Sequence, residues 1–175
     1  MPSSIIENPR SNIPENLFHF STDNNHLTFP KFRKQLEAHS IRPDEYPRGI
    51  DLGSGDGGVA DFLVRLSWIS ENITCVDQFA APHPVVHGVV WEYIDLSTLA
   101  TELETEAGNP YRLDPRLFDL HGKFDLLTCN FVFFSEAYMI RLAEFFLRPN
   151  GIAIIDELTK TREELMFGMR NEDSE

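Results

Sequence analysis

The chain is poor in basic residues. Its 15 lysines and arginines stand against 28 aspartates and glutamates, a formal net charge of −13. Nucleic-acid affinity rests largely on cations that neutralise phosphates, so this balance argues against a broad phosphate-binding surface. Long apolar runs are missing too: none approaches the ~20 residues that cross a bilayer, and the Met1 end has neither a basic n-region nor an apolar h-region. The expectation is a soluble, cytoplasmic protein. Cysteine is scarce, with only Cys75 and Cys129, each inside an apolar run. Free thiols there behave as small buried hydrophobes, and a disulfide framework is excluded.

What is present is enough for one core. With 175 residues and 42% hydrophobic content, a single domain is the default. Residues 1–30 read as an irregular arm, with Pro2, Pro9, Pro14 and Pro30 among serines and asparagines and aromatics such as Phe18, Phe20 and Phe29. Residues 31–170 form the domain, and 171–175 an acidic tail. Phe32 and Leu36 share a helical face between Lys31 and His39.

Beyond the proline-bearing linker Ile41 to Arg48, short apolar strands alternate with helices. The strands are Gly49–Leu52, Ile73–Asp77, Val89–Asp95, Phe124–Asn130 and Ile152–Asp156. The helix after the first carries Val59, Phe62, Leu63, Leu66 and Ile69 at i, i+3, i+4 spacing. Ser97 is placed to cap the next, which runs to Ala107. Residues 108–123 read as an insertion or a short helix around Arg116 to Leu120. The helix from Glu136 to Leu147 turns Ile140, Ala143, Phe146 and Leu147 inward and is stopped by Arg148-Pro149-Asn150-Gly151; a last helix starts at Thr161.

This alternation implies parallel β-α-β units with right-handed crossovers, hence an α/β fold with a three-layer, doubly wound, mostly parallel sheet. In such sheets ligands lie beyond the carboxyl ends of the strands, near the switch in strand order. Acids gather at those ends: Asp51, Asp77, Asp95 and Asp156. If the strand order is 3-2-1-4-5, Cys75 and Cys129 flank the central strand about 10 Å apart, too far to bridge.

The densest signal is Gly49-Ile50-Asp51-Leu52-Gly53-Ser54-Gly55-Asp56-Gly57-Gly58, where an acid ends a strand and glycines at every second position lead into a helix. Bare backbone lets a ligand approach closely. An acid two residues before the first glycine suits an ammonium or hydroxyl donors better than a phosphate.

This Asp-x-Gly-x-Gly-x-Gly stretch resembles motif I of the class I S-adenosylmethionine-dependent methyltransferases, and the resemblance extends from Gly49 to Glu157. It implies a Rossmann-like fold, S-adenosyl-L-methionine as cofactor, and methyl transfer to a small-molecule or protein substrate. On the same resemblance, Asp51, Gly53, Ser54, Gly55 and Gly57 lie beside the cofactor's methionine part. Asp77, with Gln78 after it, takes both ribose hydroxyls, since one carboxylate accepts two adjacent donors. Asp95 and Leu96 stand at the adenine, and Asn130 at the methyl group and substrate.

Each position also has a plainer reading: a Gly-rich turn, a solvated strand end at Asp77, a helix cap at Asp95, a turn residue at Asn130. A dinucleotide is the rival ligand, because Gly53-x-Gly55-x-x-Gly58 satisfies that fingerprint and Asp77 would serve as its ribose acid. A non-catalytic cofactor-binding subunit that regulates or stabilises a partner is the alternative from another class. His83 and His87 have i, i+4 spacing, but Pro82, Pro84 and Gly88 oppose a helix there, and no metal site is expected. Phe131, Phe133 and Phe134 read as core or stacking residues, and Glu157 as a strand end or substrate contact.

No catalytic residue stands out. Methyl transfer needs little acid–base equipment, because the sulfonium is a good leaving group and the protein mainly aligns the nucleophile. The family's sheet adds an antiparallel strand pair after strand 5. Too few residues follow Asp156 for that pair, so strand 5 reads as an open edge, inviting the N-terminal arm or a second subunit to cover it.

Overall fold

The computed structural model describes residues 28–105, 117–130, 136–155 and 158–165. Thr28 opens helix α1 (Phe29–Ala38), its hydroxyl accepting from the Lys31 amide at 3.4 Å, with Pro30 in the first turn, where a missing N–H does no harm. Phe29 and Pro30, assigned from sequence to the arm, therefore belong to this helix. Residues 1–27 of the arm and the tail lie outside the described residues, as do Phe131, Phe133, Phe134, Asp156 and Glu157.

Five strands run parallel: β1 (Gly49–Leu52), β2 (Ile73–Asp77), β3 (Val90–Tyr93), β4 (Phe124–Cys129) and β5 (Leu147–Ile155). They lie in the order 3-2-1-4-5, with helices on both faces, a Rossmann-like doubly wound arrangement. The central strands are buried along their whole length, which is why they read as continuous apolar runs. Helix α2 (Gly58–Arg65) and α1 pack on one face with Ile73, Cys75, Leu126, Ile152 and Ile154. Helices α3 (Leu96–Thr105) and α4 (Glu136–Phe146) pack on the other with Ile50, Leu52, Val76, Leu127, Cys129 and Ala153. Along β1, β2, β4 and β5 the side chains alternate between the two cores with the strand period.

The structure corrects the sequence reading at several points. Strand 5 is not an open edge: β6 (Leu158–Thr161) pairs with it antiparallel, Ile155 opposite Leu158 and Ile152 opposite Thr161. After β6, Thr161 and Glu164 form a reciprocal cap: the Glu164 amide donates to the Thr161 hydroxyl, and the Thr161 amide to the Glu164 carboxylate. It opens a turn of helix at 162–165.

Helix α2 is shorter than its apolar spacing suggests. Leu66 caps it and Ser67 takes a positive φ of 79°, so Ile69 falls beyond the helix and is 61% exposed. Strand β3 is the other edge, with Val90 and Tyr93 exposed. The segment Arg148–Gly151 lies within β5 as an irregularity in its pairing with β4, where Leu147 is opposite Phe124 and Ile152 opposite Leu126. Arg148 reaches from it to form an ion pair with the buried Asp125 carboxylate. Among the described residues no helix is long and apolar enough to cross a membrane.

Candidate cofactor site

The turn after β1 is fixed by backbone geometry before any side chain acts. The amides of Gly53 and Ser54 both donate to the Val76 carbonyl of β2, at 2.8 and 3.0 Å. Gly53, Gly55 and Gly57 hold φ values of 69°, 61° and 93°, the left-handed region that glycine enters without strain. Gly57 is demanded twice over. A Cβ there would sit 2.5 Å from Val86 Cγ1 and 3.1 Å from Trp91 Cη2, because the β2–β3 loop folds back onto the turn and the Val85 amide donates to the Asp56 carbonyl at 2.9 Å.

Two of the four strand-end acids, Asp51 and Asp77, meet at this turn. Asp77 ends β2 and is buried; its Oδ2 accepts from the Gly55 amide at 2.9 Å and its Oδ1 from the Phe79 amide at 3.2 Å. The carboxylate thus clasps the middle of the glycine turn to the end of β2. Asp51 is 2% exposed and lies opposite Cys75 of β2 and Thr128 of β4 in the sheet register. The Thr128 hydroxyl donates to Asp51 Oδ1 at 2.7 Å. Burial raises the Asp51 carboxyl from 3.8 to about 7; the Thr128 hydrogen bond opposes the rise, and the charges of Asp77 and Asp56 add to it. Burial also pushes the Cys75 thiol up, with Asp51 adding to the effect. Both cysteines are buried and neither is in a disulfide among the described residues.

One buried polar atom at the same rim, Asn130 Nδ2, has no hydrogen-bond partner among the described residues, while the buried Ser54 hydroxyl faces the Cys75 thiol, a weak partner. Ser54 lies in the turn, and Asn130 follows Cys129, which pairs with Leu52 in the register of β1 and β4. Both residues are 5% exposed or less. A buried amide without a partner is rare in folded proteins and calls for one.

Asp95 is engaged elsewhere. It receives the amides of Ser97 and Thr98 and both of their hydroxyls, at 2.7 to 3.3 Å, and so is the N-cap of α3. The Ser97 hydroxyl bond leads the interactions that hold its carboxyl below the usual value. Ser97, assigned from sequence as the cap, is instead a donor to it. Leu96 is in the α3 and α4 core, and Gln78 is exposed just past β2. A cavity of about 280 Å³ lies beside Asp95, lined by Glu92, Tyr93, Ile94, Thr98 and Leu99 among others. His83 and His87 lie in the β2–β3 loop with no helix between them.

Sequence reasoning missed Thr128. Its signal was a lone hydroxyl inside the apolar run Leu126-Leu127-Thr128-Cys129. Val86 and Trp91, which close over Gly57, carried no signal, because only the fold of the loop brings them there.

No family model and no curated protein matches the sequence. Among solved structures, the chain is similar to a Burkholderia thailandensis 1,6-didemethyltoxoflavin-N1-methyltransferase holding 1,6-didemethyltoxoflavin and S-adenosylhomocysteine. The identity is 21% and the TM-score 0.47, over 72% of this chain and 49% of that one. It is also similar to a candidate hemolysin of Lactococcus lactis at 15% identity and TM-score 0.49, over 73% of this chain and 55% of that one. The chain spans about half the length of these two structures, and at these scores neither likeness bears on the site.

Proposed function

We propose that this chain binds S-adenosyl-L-methionine at the β1 turn and transfers its methyl group to a small-molecule or protein substrate. The observation that carries the reading is a buried Asp51 at the end of the sheet beside the glycine turn, with the charges of Asp77 and Asp56 acting on it. Such a rim favours a ligand that brings positive charge, and this cofactor has an ammonium group and a sulfonium. The residues fit it: Asp51 is the receptor for the ammonium, Asp77 for the ribose hydroxyls, and the unpartnered Asn130 amide, with the Ser54 hydroxyl, supplies polar groups at the same rim. Asp95 is the least available of the three acids, since α3 already occupies its carboxylate.

When bound, the cofactor supplies an electrophilic methyl on a good leaving group. What the protein adds is alignment of the acceptor and exclusion of water. A dinucleotide fits less well, because its pyrophosphate would approach the buried carboxylates of Asp51 and Asp77. The net charge of −13 disfavours a nucleic-acid acceptor.

Calorimetric titration with S-adenosylmethionine, S-adenosylhomocysteine and NAD tests the reading. Binding of the first two and not the third is expected; binding of NAD alone overturns it. Incubation with a labelled methyl donor and cell extract then separates an enzyme from a subunit that binds without transferring.

A further inference from the structure

We propose that Thr128 is a positioning residue for Asp51: its hydroxyl fixes the direction of the carboxylate and holds it ready to receive a cationic group. This rests on the cofactor reading of the site. The contact is built into the sheet, because Asp51 of β1 and Thr128 of β4 are register partners and their side chains leave the sheet on the same face. Thr128 has no exposed surface, and its Oγ1 lies 2.7 Å from Asp51 Oδ1.

A buried hydroxyl in an apolar strand is unfavourable unless it is bonded, and valine would fill the same space. Threonine is also stiff at χ1, so the bond it donates has a set direction.

The charged groups that act on Asp51 from the other elements, Asp77 and Asp56, work against ionisation. Strand β2 presents Cys75, its register partner, and Asp77; the glycine turn presents Asp56. Cys75 is itself held neutral by burial. Thr128 is the group that favours the charged form. Near neutrality the carboxyl is therefore poised between its two states, and a cationic ligand that settles against it expels a proton.

The test uses the intact chain. Carboxyl ¹³C resonances, with Asp51→Asn assigning the signal, give the titration midpoint of Asp51 without ligand. Thr128→Val should move that midpoint up by about one to two pH units, the size of a hydrogen bond to a charged group. Thr128→Ser should restore it. Calorimetry with S-adenosylhomocysteine at pH 6.5 and 8.5 then asks what the shift does. In Thr128→Val the affinity should fall about tenfold at the lower pH and recover at the higher one, for one pH unit of midpoint shift. A uniform loss at both pH values marks a merely structural role and overturns the proposal, as does an unmoved midpoint. A midpoint moved in Thr128→Val, alongside a wild type that binds no S-adenosylhomocysteine, overturns the cofactor reading and supports the hold of Thr128 on Asp51. Should the valine variant not fold, Thr128→Ala carries the same comparison.

Discussion

Replacing Asp51 with asparagine removes a titrating group from the middle of the sheet while keeping its shape and its capacity to accept the Thr128 hydrogen bond. In the wild type the carboxyl rises from 3.8 to about 7 on folding, chiefly through burial. Between those values the unfolded chain has lost the proton and the folded one keeps it. Stability therefore falls as pH rises, by about 1.4 kcal/mol per pH unit for this one group. The contribution is fully present below about pH 4 and gone above about pH 7, a total on the order of 4 kcal/mol.

Asp51→Asn lacks this slope, whereas the titrations of distant groups are common to both proteins. The stability of the variant minus that of the wild type should therefore rise by about 3 kcal/mol between pH 5 and pH 8. Urea unfolding followed by tryptophan fluorescence, at pH values from 5 to 8, measures it. A difference that stays constant to within about 0.5 kcal/mol across that range would refute the argument that burial holds Asp51 protonated.

Other perturbations separate the remaining roles. Asp77→Ala should cost about 1–3 kcal/mol of S-adenosylhomocysteine affinity in calorimetry, through lost charged hydrogen bonds; unchanged affinity removes Asp77 from the site. Gly57→Ala should lower stability by about 3 kcal/mol in urea, combining a left-handed φ with a 2.5 Å approach to Val86. Asp95→Ala should lower stability by about 1 kcal/mol at neutral pH through the lost α3 cap. Because folding holds the Asp95 carboxyl below its ordinary 3.8, that loss should be present above pH 4 and fade on acidification.

Much of the fold is legible in the chain because the central strands are mostly apolar runs buried on both faces, and a turn or loop signal follows the first two. Legibility fails where structure depends on distant partners. Leu158-Thr159-Lys160-Thr161 has little apolar content, and it becomes a strand by pairing with β5. Ile69 fits the helical period, but the backbone reverses at Ser67 before reaching it.

The site shows the same division. Asp51, Gly53, Gly55, Gly57 and Asp77 are local signals, and the fold brings them together at one turn. Thr128 could not be read locally, because its partner lies 77 residues away in sequence. Asp95 fits two roles equally well as a sequence, and only the four donors arrayed around it show that the α3 cap occupies it.

The thiols of Cys75 and Cys129, on the strands either side of β1, have a practical consequence. Neither can meet an alkylating reagent while those strands stay paired, so the labelling rate reports how often the middle of the molecule comes apart. Any compound that settles at the carboxyl ends of these strands should slow that chemistry in proportion to its occupancy. Candidate small molecules can then be ranked on the unmodified protein, with no acceptor substrate in hand.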